Sequence, residues 1–209
     1  SDLKEKGWTI DYVDMNEDLL KAILPAYFVI SCAEAGSNNA NLDGIKFGQR
    51  IEGSTYEELM KNTRTKGFSE LIKRRFVIGS YVLLRDNREE CFERAQKVRH
   101  LIVDSFNDIL KNYDGILLPA APSIAPKINE TSDRLSDEYL IADNFMAFAN
   151  FGGLPSITFP AGFINDMPYG FNLTSRKFEE SNLFSMSELI EKALGFYNLS
   201  KFTFGRLKK

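Results

Sequence analysis

The sequence predicts an α/β fold in which helices pack on the faces of a central sheet. Two short apolar runs bounded by turn residues, at 115–119 and 156–160, are typical of strands that are covered on both faces. Longer segments with apolar residues every three or four positions indicate amphipathic helices before, between and after these strands. Helices that alternate with buried strands favour a layered α/β architecture.

Composition and length predict one globular domain over residues 1–209. Of the 209 residues, 44% are hydrophobic and the formal net charge is −3, which argues against a protein that binds nucleic acid through bulk charge. Cys32 and Cys91 are far apart, and neither belongs to a C-x-x-C pair, so a zinc site or a disulfide scaffold is not expected. No run approaches the roughly 18 apolar residues of a membrane helix, so we expect a cytoplasmic protein without membrane contact.

The first part of the chain predicts a strand, a helix and a turn region. Residues 8–13 alternate between apolar and polar side chains, which predicts a strand. Asn16 is the expected N-cap of a helix, and Pro25 predicts a kink or a new helix start. The small and polar residues at 33–39 predict a turn.

Three helices are predicted before the first buried strand. Ser54 and Glu57 form a capping box for a short helix that ends near residue 60. A second helix is expected over 68–84, with Val77 on its apolar side, and a third over about 88–111.

The last part of the chain predicts an irregular loop, two helices and a third strand. The proline-containing segment 120–135 predicts the loop, and the apolar periodicity of 137–151 predicts a helix. A strand over 169–173 and a helix over about 180–196 follow. The basic tail at about 200–209 is typical of a solvated segment.

The sequence contains no motif of a self-sufficient catalytic centre. It has no G-x-S-x-G, no H-E-x-x-H and no glycine-rich phosphate loop. His100, the only histidine, stands beside Arg99 in a predicted helix, which is typical of a surface residue. We therefore expect no catalytic residue, metal or bound cofactor in this chain.

Two charged positions in apolar surroundings are candidate binding residues. Arg75 closes the string Lys73-Arg74-Arg75 inside an otherwise apolar helix, and a guanidinium can hold a carboxylate with two parallel hydrogen bonds. Asp143 lies near the start of another apolar helix, where an acid also suits the helix dipole. From the residues alone, a solvated basic face and a helix-start acid remain open as alternatives.

Six strings, in order, resemble motifs of the amidase-signature enzymes, and most closely those of the A subunits of tRNA-dependent amidotransferases. The strings are A-E-A-G-S-N at 33–38, D-G-I-K-F-G at 43–48, K-R-R-F-V-I-G-S-Y at 73–81, A-Q-K-V-R at 95–99, D-G-I-L-L-P-A-A-P at 114–122 and N-F-G-G-L-P at 150–155. Asn172 is a departure, because the family usually has glutamine there.

The resemblance implies that this chain is the C-terminal half of a longer polypeptide with a layered α/β/α fold and a mixed central sheet. In the family, the nucleophilic serine, a second serine and a lysine lie upstream of the matched region, so the chain alone is expected to be inactive. The resemblance further implies that Arg75 holds the α-carboxylate of glutamine and Asp143 its α-amino group. The start at Ser1 without Met also leads us to expect a fragment.

The implied activity is the hydrolysis of glutamine, which supplies ammonia for the amidation of misacylated Glu-tRNA(Gln) or Asp-tRNA(Asn). The implied partners are the B and C subunits of the complex. The partner subunit is expected to use ATP and Mg²⁺. This chain is expected to contact misacylated tRNA only through the complex. We expect the isolated fragment to self-associate. Two alternatives stay open: a short non-catalytic scaffold with half an amidase fold, and part of another amidase or allophanate hydrolase.

Overall fold

The computed structural model describes residues 2–125 and 144–195, which form helices and one antiparallel sheet. The helices are α1 (Asp2–Glu5), α2 (Glu17–Asn38), α3 (Tyr56–Gly67), α4 (Glu70–Val82), α5 (Arg85–Arg88), α6 (Arg94–Leu110), α7 (Asn144–Gly152) and α8 (Glu180–Leu194), with a π-helical turn at Glu89–Glu93. The strands are β1 (Ile116–Pro119), β2 (Ser156–Ile164) and β3 (Met167–Thr174). The predicted α/β class is confirmed.

These elements fall into two compact units. The sheet unit comprises Ser1–Leu24 and Leu101–Lys209, and the helical unit comprises Pro25–His100. A single domain unfolds as one cooperative unit, and contacts within each unit do not test this. The single domain over 1–209 therefore stays a prediction. The predicted loop at 120–135 and helix at 137–151 lie partly outside the described residues, and the basic tail lies wholly outside them.

Helix α2 begins where the sequence indicates and continues further than expected. The side-chain oxygen of Asn16 accepts the backbone N–H of Asp18 at 2.8 Å, as an N-cap does. The helix neither starts nor stops at Pro25, and it runs through to Asn38. The turn expected at 33–39 was therefore wrong, because Ala-Glu-Ala in this segment has high helix propensity.

Helix α2 is also the segment that corrects the expectation about membrane helices. At 22 residues it is long and apolar enough, by length and composition alone, to cross a membrane. The core helix of a soluble protein passes the same test, so this finding is weak evidence for a membrane span. Several of its side chains are buried: Ile23, Ala26, Ile30, Cys32 and Ala33.

The strand expected at residues 8–13 is not formed. Trp8 and Ile10 pack against an apolar cluster of the sheet unit, whereas Tyr12 is 94% exposed. Alternation predicts a strand only where a neighbour supplies the hydrogen bonds, and no described strand pairs with this segment.

The cap of α3 lies one residue later than predicted. Thr55 is the N-cap, and its hydroxyl accepts the N–H of Glu58 at 3.2 Å. The Glu58 carboxylate accepts the backbone N–H of Ser54 at 2.8 Å. Thr55 and Glu58 thus supply the cap instead of Ser54 and Glu57, and the Glu58 carboxylate bonds to the residue before the N-cap. The helix then extends to Gly67, past the expected end near residue 60.

The sheet has the strand order β1-β3-β2, and both ladders are antiparallel. Leu173 of β3 pairs with Leu117 on one side and with Ile157 on the other. A bulge between Pro160 and Gly162 interrupts the second ladder. The parallel pairs that a mixed sheet requires are not among the described strands.

Helix α8 covers one face of this sheet. Leu183 and Ile190 of α8 form a buried cluster with Phe159 and Leu173 of the strands, and Leu117 packs against it. The helix ends at Gly195, which adopts a left-handed conformation (φ 81°) of the kind that favours glycine.

Helices α6 and α7 cover the other face. Ile116 precedes Leu117 in β1 and therefore points to the opposite side of the sheet. There it packs against Leu110 of α6 and Ala149 of α7. The rings of Phe106 and Phe148 stack with their centroids 4.1 Å apart. Helices thus lie on both faces, as a layered α/β/α arrangement requires.

Asn172, where the family usually has glutamine, is buried in the sheet and only 2% exposed. Its amide nitrogen donates to the hydroxyl of Thr158 at 3.0 Å, and its amide oxygen accepts from the hydroxyl of Thr174 at 3.2 Å. A buried amide is stable only with such partners. Asn172 therefore links neighbouring strands.

Candidate substrate-anchoring site

Arg75 lies on the side of α4 that packs inside the helical unit. It is half-buried, and Gly79 and Val82, which share its helix face at spacings of four and three, are buried. The other cations of the string differ from it. Arg74 is exposed, and the ammonium of Lys73 forms an ion pair within its own helix.

Helix α4 approaches the backbone of α2 at Gly79. A Cβ atom built on Gly79 would lie 2.6 Å from the carbonyl carbon of Cys32, a distance that real Cβ atoms do not show. Only glycine allows the two backbones to come so close. This contact fixes the position of α4 against the part of α2 that belongs to the same unit.

One turn earlier on both helices, Arg75 meets Phe28. The guanidinium carbon of Arg75 lies 5.8 Å from the centroid of the Phe28 ring. At this distance the negative face of an aromatic ring attracts a cation. A cation–π contact of this kind uses none of the N–H donors of the guanidinium, so they stay available for hydrogen bonds.

The thiol of Cys32 is a titratable neighbour of Arg75. Burial raises the pKa of this thiol, and the opposing effect of the Arg75 charge is smaller. Cys32 therefore stays protonated at neutral pH and does not act as a counter-ion for the guanidinium.

The chain supplies Arg75 with no carboxylate among residues 2–125 and 144–195. Arginines elsewhere do have such partners: Arg176, for example, lies 2.8 Å from Glu179 and 3.5 Å from Asp114. No described carboxylate oxygen lies within 4.0 Å of Arg75. The donors of a half-buried guanidinium need acceptors, so this position suits the carboxylate of a ligand.

Asp143, the second residue predicted for the site, lies outside the described residues. Helix α7 begins at the next position, Asn144. The pairing of Asp143 with Arg75 therefore stays a prediction.

The described residues offer no alternative metal centre. Among them, no three histidine, cysteine or acidic side chains are close enough together to hold a metal ion. His100 is exposed, in agreement with its predicted place at the surface. Cys32 is buried and Cys91 half-buried, and both are free thiols.

Phe28 and Gly79 hold Arg75 in place. Neither residue was singled out from the sequence. Phe28 fits the apolar pattern of α2, and Gly79 is one small residue in a helix. A signal was nevertheless present. Phe28 and Cys32, like Arg75 and Gly79, are four positions apart, so each pair shares a helix face.

Comparison with known proteins identifies the family. The Amidase family matches residues 1–184. The A subunit of the glutamyl-tRNA(Gln) amidotransferase from Xanthobacter autotrophicus is 40% identical over 201 residues, which cover 95% of this chain and 40% of that protein. The protein of the same name from Thermotoga maritima is 40% identical over 173 residues, covering 83% of this chain and 36% of that protein.

A solved structure of 6-aminohexanoate cyclic dimer hydrolase shares the fold. It has a TM-score of 0.64 at 18% identity, over 92% of this chain and 39% of that one. The chain thus spans about 40% of the length of the curated relatives it matches.

Proposed function

This chain belongs to the amidase family, and we propose that it is part of the glutamine-hydrolysing A subunit of a tRNA-dependent amidotransferase. The identity of about 40% to proteins of that name, over most of this chain, supports the proposal. The observation that carries it is Arg75, a half-buried arginine whose guanidinium lies within cation–π distance of the Phe28 ring and has no carboxylate partner among the described residues.

In this proposal the chain anchors glutamine. Arg75 binds the α-carboxylate through two parallel charge-assisted hydrogen bonds. Asp143 accepts a hydrogen bond from the α-ammonium group. An amide substrate without this zwitterionic head needs neither group. Anchoring both ends of the head holds the side-chain amide at a fixed place for the nucleophile.

The rest of the reaction belongs to the longer polypeptide and its complex. There the nucleophilic serine attacks the side-chain amide, with the lysine acting through the second serine as base. Ammonia leaves as the glutamyl ester forms, and water then hydrolyses this ester to release glutamate. The B and C subunits receive the ammonia, and the misacylated tRNA is activated with ATP and Mg²⁺ in the partner subunit. We expect the chain alone to be inactive, cytoplasmic and prone to self-association.

The test is the glutaminase activity of the full-length polypeptide that contains this chain, with Arg75→Ala against the matched control Arg74→Ala. Loss of a charge-assisted carboxylate contact is expected to raise KM for glutamine about 10- to 150-fold. Arg74 is exposed on the same helix, so its loss is expected to leave KM unchanged.

An unchanged KM for Arg75→Ala would contradict the anchor. Activity toward 4-aminobutanamide, which is glutamine without its carboxylate, separates this proposal from a general amidase. We expect Arg75→Ala to leave kcat/KM for this analogue unchanged. A general amidase would process the analogue as well as glutamine before any substitution is made.

A further inference from the structure

We propose that Phe28 is a positioning residue for Arg75: its ring holds the guanidinium in the orientation that receives the substrate carboxylate. This inference rests on the proposed function and assigns a role to a residue that does not itself touch the substrate.

The first support is the contact itself. The Arg75 guanidinium carbon lies 5.8 Å from the Phe28 ring centroid, and no hydrogen bond or ion pair to another described residue holds that guanidinium. An arginine side chain has many rotamers, so binding would otherwise have to select one of them. The contact with the Phe28 ring limits this freedom.

The second support is a contrast with Arg64 in the same unit. The Arg64 guanidinium carbon lies 5.0 Å from the Phe68 ring and 5.4 Å from the Phe76 ring, and its Nη1 also donates to two backbone carbonyls. That guanidinium is committed to the protein. Phe28, in contrast, orients Arg75 through one ring and consumes none of its donors.

The third support is the close backbone contact of α2 and α4 next to this pair. Phe28 is four residues before Cys32, and Arg75 is four residues before Gly79, so the close backbone contact of Cys32 and Gly79 lies one turn away on both helices. This contact sets the spacing of the helices at the level where ring and guanidinium meet.

The test uses the full-length polypeptide and two substrates, glutamine and 4-aminobutanamide. Phe28→Leu removes the ring, and Phe28→Tyr keeps it as the conservative variant. Loss of a cation–π contact is expected to raise KM for glutamine about two- to fivefold. We expect an unchanged kcat, a value near wild type for Phe28→Tyr, and no effect of either variant with 4-aminobutanamide.

The same substitution in an Arg75→Ala background completes the test. If Phe28 acts through Arg75, then Phe28→Leu has no further effect on KM there. An equal KM increase with both substrates, or an increase that persists without Arg75, would assign Phe28 a purely structural role and overturn the inference.

The outcomes for the two proposals are distinct. If Arg75→Ala raises KM for glutamine and Phe28→Leu does not, only the role of Phe28 fails. If Arg75→Ala changes nothing, the carboxylate anchor itself fails. Should the leucine variant not fold, Phe28→Met, which is unbranched and similar in volume, is put through the same comparison, and an unchanged KM for it overturns the inference.

Discussion

The sheet unit and the helical unit each use an arginine to complete the end of a long helix. In the sheet unit, Nη1 of Arg176 donates to the carbonyl oxygens of Leu110, at 3.0 Å, and Tyr113, at 3.1 Å, where α6 ends. Its Nε also forms an ion pair of 2.8 Å with Glu179. Helix ends leave carbonyls without partners, and a cation suits the negative end of the helix dipole.

In the helical unit, Arg64 does the same beyond the end of α2. Its Nη1 donates to the carbonyl oxygens of Asn39 at 2.9 Å and Leu42 at 3.2 Å. Aromatic rings replace the carboxylates that accompany Arg176.

Arg75 differs from both arginines, since it completes no helix end and pairs with no described carboxylate. The comparison shows how a structural arginine is distinguished from a candidate binding residue. When backbone carbonyls and carboxylates use the donors, the arginine stabilises the fold. When a half-buried arginine has only a ring, its donors are available to a ligand.

The largest expected effect is on the helix contact that supports Arg75. Gly79→Ala would place a Cβ against the Cys32 backbone, so α2 and α4 would have to separate. We expect a loss of about 1–3 kcal/mol in the free energy of unfolding. Urea unfolding of this chain measures it.

Gly36→Ala is the matched control, because Gly36 is also helical but its Cβ would meet nothing within 4 Å. We expect this substitution to increase the free energy of unfolding by about 0.5 kcal/mol, since alanine favours helix. Equal effects of the two substitutions would show that α4 does not depend on the close contact.

The line of residues Arg75, Gly79 and Val82 also shows where sequence reasoning reached its limit. The extent of α4 was predicted to within two residues at each end, because apolar periodicity identifies a helix. The buried side of α4 was not fully predicted. Val77, which was expected on the apolar side, is 70% exposed. An arginine and a glycine on a packed face do not contribute to an apolar pattern.

The strands and the α3 cap also show which features the sequence predicts and which it does not. The apolar strands were located correctly because burial on both faces leaves a plain signal in the sequence. Residues 8–13 carry a strand pattern without a strand partner, and pairing depends on distant residues. The choice of Glu58 over Glu57 at the α3 cap depends on local geometry that two overlapping motifs do not distinguish.

A smaller effect is expected at the two structural arginines. Arg64→Ala and Arg176→Ala each leave two backbone carbonyls without their donor, which is expected to lower the urea midpoint of unfolding. Neither is expected to change KM for glutamine, whereas Arg75→Ala is expected to change KM and leave stability nearly unaltered. Urea midpoints and glutaminase kinetics measured on the same variants test this separation. A raised KM for Arg64→Ala or Arg176→Ala, or a large loss of stability for Arg75→Ala, would contradict it.

The pH dependence of the Arg176 effect sharpens this prediction. Hydrogen bonds from Arg176 and then Asn182 lower the pKa of Glu179. A lowered folded-state pKa stabilises the protein above the ordinary glutamate pKa of about 4.3 and ceases to do so as the pH falls through the lowered value. The difference between wild type and Arg176→Ala is therefore expected to narrow in a series of urea midpoints taken below about pH 4.

The smallest expected effect concerns the thiols. Cys32 is buried and its pKa is raised, so we expect it to resist iodoacetamide in the native protein. Cys91 is half-buried and is expected to react first. Mass spectrometry of the alkylated peptides measures both. Rapid labelling of Cys32 in the native state would mean that the α2–α4 contact opens easily and that Arg75 has no fixed support.

The most direct measurement is a crystal structure of the full-length polypeptide with glutamine bound. We predict that both oxygens of the glutamine α-carboxylate lie about 2.7–2.9 Å from guanidinium nitrogens of Arg75, with the Phe28 ring still within cation–π distance of the guanidinium. A carboxylate bound by Arg74, or by residues remote from α4, would contradict the central claim that Arg75 is the substrate anchor.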